Sequence, residues 1–160
     1  MGNVLVVYGS TTGTCQAIAK TIASKFDATA IDVTKMTKEA IEQCDTLILG
    51  SSTWGYGELQ DDWYDGVNVL KSANIAGKKV ALYGCGDAQC YDETFCDAMG
   101  LIYKEIKDSG CNIVGAVSVD DYLFSGSAAV VDGQFVGLAL DDVNEDDKTQ
   151  ERIDNWVASL

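Results

Sequence analysis

The strongest constraint on this chain is an alternation of period. Short apolar runs, each long enough for one strand, alternate with stretches whose apolar residues recur every three or four positions. Asn3–Tyr8 is a continuous β-branched and apolar run, the pattern of a strand buried on both faces. Behind it Ile18, Ile22 and Phe26 lie at i, i+4 and i+8, one face of a helix. A weak strand at Ala28–Val33 precedes a short helix capped by Thr37. A third strand, Thr46–Gly50, precedes a helix marked by Trp63, Val67 and Leu70. A fourth, Lys79–Gly84, precedes a helix lined by Phe95, Met99, Ile102 and Ile106, which Gly110 ends in a left-handed cap. Asn112–Ser118 opens a fifth strand. The last helix carries Ile153, Trp156, Val157 and Leu160 on one side, with Asp147 and Gln150 spaced as a capping box.

Five βα units predict a parallel sheet with helices on both faces. One stretch breaks the rhythm. Between Ser118 and Leu138 the expected helix gives way to Tyr122, Phe124, Ala128–Val131, Asp132-Gly133 and Gln134–Leu138, and Asp-Gly between two apolar runs is a hairpin signal. The fifth strand therefore reads as split by a β excursion. The chain has 160 residues and no linker, repeat or low-complexity tract, so it reads as one domain, 1–160.

Charge and missing residue types exclude whole classes of function. The net charge is −14, which disfavours duplex nucleic acid and anionic membrane surfaces as partners. The excess is lopsided: residues 1–86 carry −2 and residues 87–160 carry −12. There is no His, so the commonest general base and metal ligand is missing. The six cysteines form no C-x-x-C pair and match no zinc or iron–sulfur spacing. They read as reduced thiols of a cytoplasmic protein. No apolar run approaches the ~20 residues that span a bilayer, and no basic segment opens a secretory signal.

Ligands of open parallel sheets bind at the carboxyl ends of the strands. After strand one comes Gly9-Ser10-Thr11-Thr12-Gly13-Thr14-Cys15, leading directly into a helix. Glycines and hydroxyls at a helix N-terminus can surround a phosphate. With no Lys or Arg in the loop, neutral donors and the helix dipole would hold it. After strand three comes Gly50-Ser51-Ser52-Thr53-Trp54-Gly55-Tyr56-Gly57-Glu58, a Trp among hydroxyls and glycines, placed to lie against a flat ring. After strand four comes Gly84-Cys85-Gly86-Asp87-Ala88-Gln89-Cys90-Tyr91, with a second aromatic, a carboxylate and backbone donors beside glycines. Taken singly, these segments also read as a hydroxyl-rich helix cap, a Trp folded over the sheet end, and a solvated loop. Together they describe a phosphate at one end and a planar polar ring between two aromatics at the other. Flavin mononucleotide (FMN) is the natural candidate.

At these residues the chain resembles the flavodoxin family, specifically its long-chain branch, along its whole length. The resemblance rests on Val4-Leu5-Val6-Val7-Tyr8-Gly9-Ser10-Thr11-Thr12-Gly13, on Thr53-Trp54-Gly55-Tyr56-Gly57-Glu58-Leu59-Gln60-Asp61-Asp62-Trp63, and on Gly84-Cys85-Gly86-Asp87 through Tyr91 to Phe95. Phe135-Val136-Gly137-Leu138-Ala139-Leu140-Asp141 and Thr149…Arg152-Ile153…Trp156 indicate the branch. It implies a flavodoxin-like three-layer α/β/α sandwich with strand order 2-1-3-4-5, the stretch 118–138 being the long-chain insertion. It also implies bound FMN and low-potential one-electron transfer in place of ferredoxin, with reductases and iron–sulfur oxidoreductases as partners of a monomeric carrier.

The resemblance gives each loop a part. Ser10, Thr12 and the amides from Thr11 to Cys15, with Gly13 and Thr14, would hold the phosphate. Ser51, Ser52 and Thr53 lead to Trp54 over the inner ring face, with Tyr91 over the outer one. The Gly55–Tyr56 peptide, followed by Gly57, would sit beside the flavin N5. Cys85, Gly86, Asp87 and the backbone at Cys90 would meet the pyrimidine edge. Cys15 and Gln16 stand where the family usually has Thr and Glu, so a hydroxyl contact passes to a thiol or to Thr14; Cys90 replaces a usual Gly. Glu58, Asp61, Asp62, Asp65, Asp87, Asp92 and Glu93 fall in or just after the ring-side loops and would disfavour added negative charge there.

Other functions of this topology lack their residues. A receiver domain needs acids after strand one and an Asp after strand three, and a small tyrosine phosphatase needs C-x5-R in its first loop. The competing reading is an FMN-dependent NAD(P)H:quinone reductase, whose substrate would need the ring face that Tyr91 fills. The excursion at 118–138 reads either as a partner surface or as a hairpin packed by Tyr122, Phe124 and Phe135.

Overall fold

The computed structural model describes residues 3–10, 13–54, 58–59, 61–87, 93–120, 122, 124–141 and 143–160, and at 54, 58 and 59 the backbone alone. The elements are β1 (Val4–Gly9), α1 (Thr14–Lys25), β2 (Ala30–Asp32), α2 (Lys38–Gln43), β3 (Thr46–Trp54), β4 (Glu58–Leu59), α3 (Trp63–Ser72) and β5 (Lys79–Cys85). There follow α4 (Asp97–Ile106), β6 (Asn112–Val114), β7 (Val117–Ser118), β8 (Val130–Val131), β9 (Gln134–Phe135), β10 (Leu138–Leu140) and α5 (Asp146–Ser159).

The main sheet is parallel, in the order β2-β1-β3-β5-β10, with β6 also on β5. β6 pairs with Lys79, Val80 and Ala81, whereas β10 pairs with Tyr83, Gly84 and Cys85. The fifth position is thus shared by two half-strands, and the order is the expected 2-1-3-4-5. Side chains alternate across the sheet as the pleat requires. Val6 and Tyr8 join the apolar cluster with α1 and α5, and Val7 joins the one with α3 and α4. Thr37 caps α2 as expected, its Oγ1 accepting from the Ala40 N–H. Among the described residues no helix is long and apolar enough to cross a membrane.

The fifth strand departs from expectation near its start. It stops at Val114, and Val117–Ser118 belongs to a small antiparallel sheet, β7-β9-β8, inside the excursion. The reason is Gly115, at φ +84, whose carbonyl accepts from the Trp156 Nε1–H at 2.8 Å. A side chain at residue 115 would collide with that indole. The Asp132-Gly133 turn has positive φ at both residues, 53° and 79°, as a tight hairpin between β8 and β9 requires. The expected capping box of the last helix is not formed. α5 begins at Asp146 after an uncapped Glu145, and Gln150 donates instead to Asp154. Ion pairs organise that end: Glu145 meets Lys148 and Arg152, each at 3.0 Å.

Candidate functional site

Register brings the three loops together. Gly9 at the end of β1 lies opposite Ser51 of β3, which lies opposite Gly84 of β5, and Ser52 lies opposite Cys85. The segments after β1, β3 and β5 therefore leave the sheet side by side at one edge.

In the first loop Ser10 Oγ accepts from the Gly13 N–H at 3.0 Å. Gly13 is left-handed, at φ 95° and ψ −8°, a conformation glycine adopts without the strain a Cβ brings. α1 starts there with no side-chain cap and no acidic residue in its first turn. Such a helix end presents N–H donors and the positive end of the dipole to an anion. Thr14 is half-buried. Cys15 turns inward, is 0% exposed, and its thiol donates to Cys85 Sγ at 2.9 Å. Its N–H can serve the loop, but its thiol cannot. Nor does the helix end favour the thiolate: the hydrogen bond to Cys85 and burial push the Cys15 thiol well up. Thr11 and Thr12 lie outside the described residues.

In the second loop β3 runs on past the main sheet. Thr53 and Trp54 pair antiparallel with Leu59 and Glu58, so the chain doubles back, a return strand that the sequence pattern did not announce. Ser51 is 0% exposed and donates through Oγ to the Ser52 carbonyl. Ser52 is half-buried. Thr53 Oγ1 accepts from the Ala98 N–H at 3.1 Å, fastening the loop to α4. Buried Trp63 donates from Nε1 to the Gly50 carbonyl at 2.8 Å, fastening α3 to the base of the same loop. Gly55, Tyr56, Gly57 and the Trp54 side chain lie outside the described residues.

The third loop is held from two sides. On one side the Gly86 N–H donates to the Leu140 carbonyl at 2.9 Å. Asp87 Oδ1 accepts from Asn144 Nδ2 at 2.7 Å, and the same amide reaches both carboxylate oxygens of Asp141, at 3.1 and 3.0 Å. Asp141 is 1% exposed. One amide thus clamps two carboxylates at the edge of the site. On the other side the excursion grips residues 95–97. The Phe95 N–H donates to Gly126 O, the Ser127 hydroxyl to Phe95 O, and the Ala128 N–H to Asp97 Oδ1. Burial raises the Asp97 carboxyl, partly offset by that N–H. Phe95, Tyr122, Phe124 and Phe135 form an aromatic cluster with centroids 4.8–6.0 Å apart. Sequence reasoning named neither Asn144 nor Ser127, because their partners are 57 and 32 residues away. Cys90 and Tyr91 lie outside the described residues.

The family model described as Flavodoxin matches residues 6–156. The chain belongs to the flavodoxin family. A flavodoxin of Synechococcus elongatus is 40% identical to it over 164 positions, covering 100% of this chain and 96% of that one. Flavodoxin 1 of Escherichia coli K12 is 41% identical, covering 97% and 90%. The crystal structure of Fusobacterium nucleatum flavodoxin bound to flavin mononucleotide matches with a TM-score of 0.92 at 30% identity, covering 99% of this chain and 96% of that one. As a flavodoxin, the protein is an electron carrier rather than an enzyme, and the quinone reductase reading is not favoured.

Proposed function

We propose that this flavodoxin holds FMN non-covalently across its three loops and works as a low-potential one-electron carrier of the long-chain branch. The observation that carries the reading is the register that sets Gly9, Ser51 and Gly84 on one rung beside the uncapped end of α1. The donor set fits the group. A phosphate would meet the N–H groups of Thr14 and Cys15 and the hydroxyls of Ser10, Thr12 and Thr14, with no cation in the loop. A Cβ at Gly86 would come to 3.0 Å from both the Phe95 ring and the Cys96 N, so a larger residue there would press the third loop away from residues 95–96. Trp54 and Tyr91 would cover the two faces of the ring, with Ser51–Thr53, the Gly55–Gly57 turn, Cys85–Asp87 and the Cys90 backbone around its edge.

FMN, when bound, supplies a ring that accepts and releases electrons one at a time. The chain decides how costly the added charge is. Asp61, Asp65 and Glu93 are exposed beside the ring-side loops, and Asp87 is held next to a second carboxylate by Asn144. Negative charge there disfavours an added electron, and each tenfold change is about 59 mV for one electron. An acidic rim also suits partners with basic faces, such as reductases and low-potential iron–sulfur oxidoreductases. We place this carrier in the cytoplasm as a monomer, with residues 1–160 as one domain.

The test is anaerobic reductive titration of the FMN-loaded protein. Two well-separated one-electron steps, the second strongly reducing, support the carrier. A single two-electron step with rapid NADPH–quinone turnover overturns it.

A further inference from the structure

Three thiols lie buried beneath the loops, and electron carriage uses none of them. Cys15 in the first turn of α1 and Cys96 beside α4 are 0% exposed, and Cys85 at the end of β5 is 7% exposed. Cys15 Sγ and Cys85 Sγ stand 2.9 Å apart, joining positions 70 residues distant in sequence. That is within about 1 Å of the ~2.05 Å covalent S–S length, so bonding needs only a small closing movement. Cys96 Sγ is directed elsewhere, toward the Leu140 carbonyl at 3.8 Å.

We propose that Cys15 and Cys85 are a dithiol site that a small peroxide oxidises reversibly to a disulfide, tying the phosphate-side helix α1 to the ring-side end of β5. Burial selects the oxidant. Both sulfurs are shielded, so a small neutral molecule reaches them and a bulky charged disulfide such as glutathione disulfide does not. The Cys15 proton, held up by its bond to Cys85 and by burial, makes the reaction slow at neutral pH. In the first step one thiolate attacks a peroxide oxygen. The O–O bond breaks, a sulfenic acid forms, and the released hydroxide takes up that thiol's proton as water. The second sulfur then attacks the sulfenic sulfur, the S–S bond forms, and the hydroxyl leaves as water with the second thiol's proton. Two thiols lose two electrons in total, and one peroxide becomes two waters.

The tie closes a long loop, from α1 through β2, β3 and α3 to β5, between positions 70 residues apart, the kind that constrains the unfolded chain most. A rise in melting temperature on the order of 10 °C is expected from the loop length and the size of the chain.

The experiment treats the full-length, FMN-loaded protein with hydrogen peroxide, blocks remaining thiols by alkylation, and maps the peptides by mass spectrometry. The expected result is one cross-link per chain joining the peptides of Cys15 and Cys85, reversed by dithiothreitol, with a higher melting temperature in the linked form. Glutathione disulfide leaves both residues unmodified. Cys15→Ser and Cys85→Ser each abolish the link, and Cys96→Ala keeps it. Four results overturn the proposal: a link through Cys96, sulfinic acid on Cys15 or Cys85 without a link, a glutathione adduct on either, or both still reduced when half-exposed Cys111 is oxidised. A linked form that melts no higher than the reduced one overturns the tie. The mapping uses the native sequence, so the proposal stays testable even where a variant fails to fold.

Discussion

Replacing Phe135 by Ala tests whether the excursion is part of the body that shapes the site. Phe135 is 0% exposed, with the rings of Tyr122, Phe124 and Phe95 at 4.8, 5.1 and 5.8 Å. Truncating a buried Phe to Ala costs about 3–5 kcal/mol, and three ring partners place this site toward the middle of that range or above. At roughly 2–4 °C per kcal/mol for a chain of this length, a loss of about 4 kcal/mol lowers the melting temperature by roughly 8–16 °C. The effect should reach the third loop, because Phe95 packs on Phe135 and a Cβ at Gly86 would lie 3.0 Å from the Phe95 ring. Far-ultraviolet circular dichroism follows the fold and flavin fluorescence follows release of FMN. Both transitions should move down together. A fall below about 3 °C, or an early partial transition that leaves FMN release where it was, refutes the reasoning.

Three further outcomes are expected. Asn144→Leu removes the amide that holds the Asp87 and Asp141 carboxylates together, so Asp87 leaves its place beside the ring-side loop; the more reducing midpoint potential should rise by roughly 30–60 mV, and an unmoved potential refutes the clamp. Gly13→Ala meets no atom within 4 Å but must hold φ +95. That strain, about 1–2 kcal/mol, should weaken FMN binding roughly tenfold in equilibrium titration, and unchanged affinity refutes it. The Glu145 carboxyl is held below its usual range by the Lys148 hydrogen bond and then by Arg152. A depressed acid stabilises the fold above its unfolded pKa and loses that contribution as pH falls through the folded value. Glu145→Gln should therefore lower the melting temperature at about pH 7, and the gap to the parent should narrow as pH falls; a gap that stays constant into acid refutes the assignment.

What was legible in the sequence followed from burial. A strand covered on both faces must be apolar throughout, so Asn3–Tyr8, Thr46–Gly50 and Lys79–Gly84 located the sheet interior, and the loops after them located the site. The cap at Thr37 and the turn at Asp132-Gly133 were legible because each is a local hydrogen-bond or dihedral requirement written in adjacent residues. The illegible features are those whose partner is remote or whose pattern is too short. β4 has two residues and shows no period. The break at Gly115 depends on Trp156, and the inward turn of Cys15 depends on Cys85. The capping box failed because Glu145 finds cations on the next two turns, which outweighs the spacing of Asp147 and Gln150.

The shared fifth position has a consequence for remodelling. β6 ends opposite Ala81 and β10 begins opposite Tyr83, leaving the single rung of Leu82 between them. The excursion therefore returns the chain almost to the point it left, and the sheet keeps no record of how long the detour was. Splicing Val114 directly to Gly137, whose backbone already lies against the Leu82 carbonyl, would leave out the left-handed turn at Gly115 and carry the strand straight through. The same gap is a port for grafted segments of other lengths, with one obligation on any graft: it must shelter Phe95 as Phe135 does.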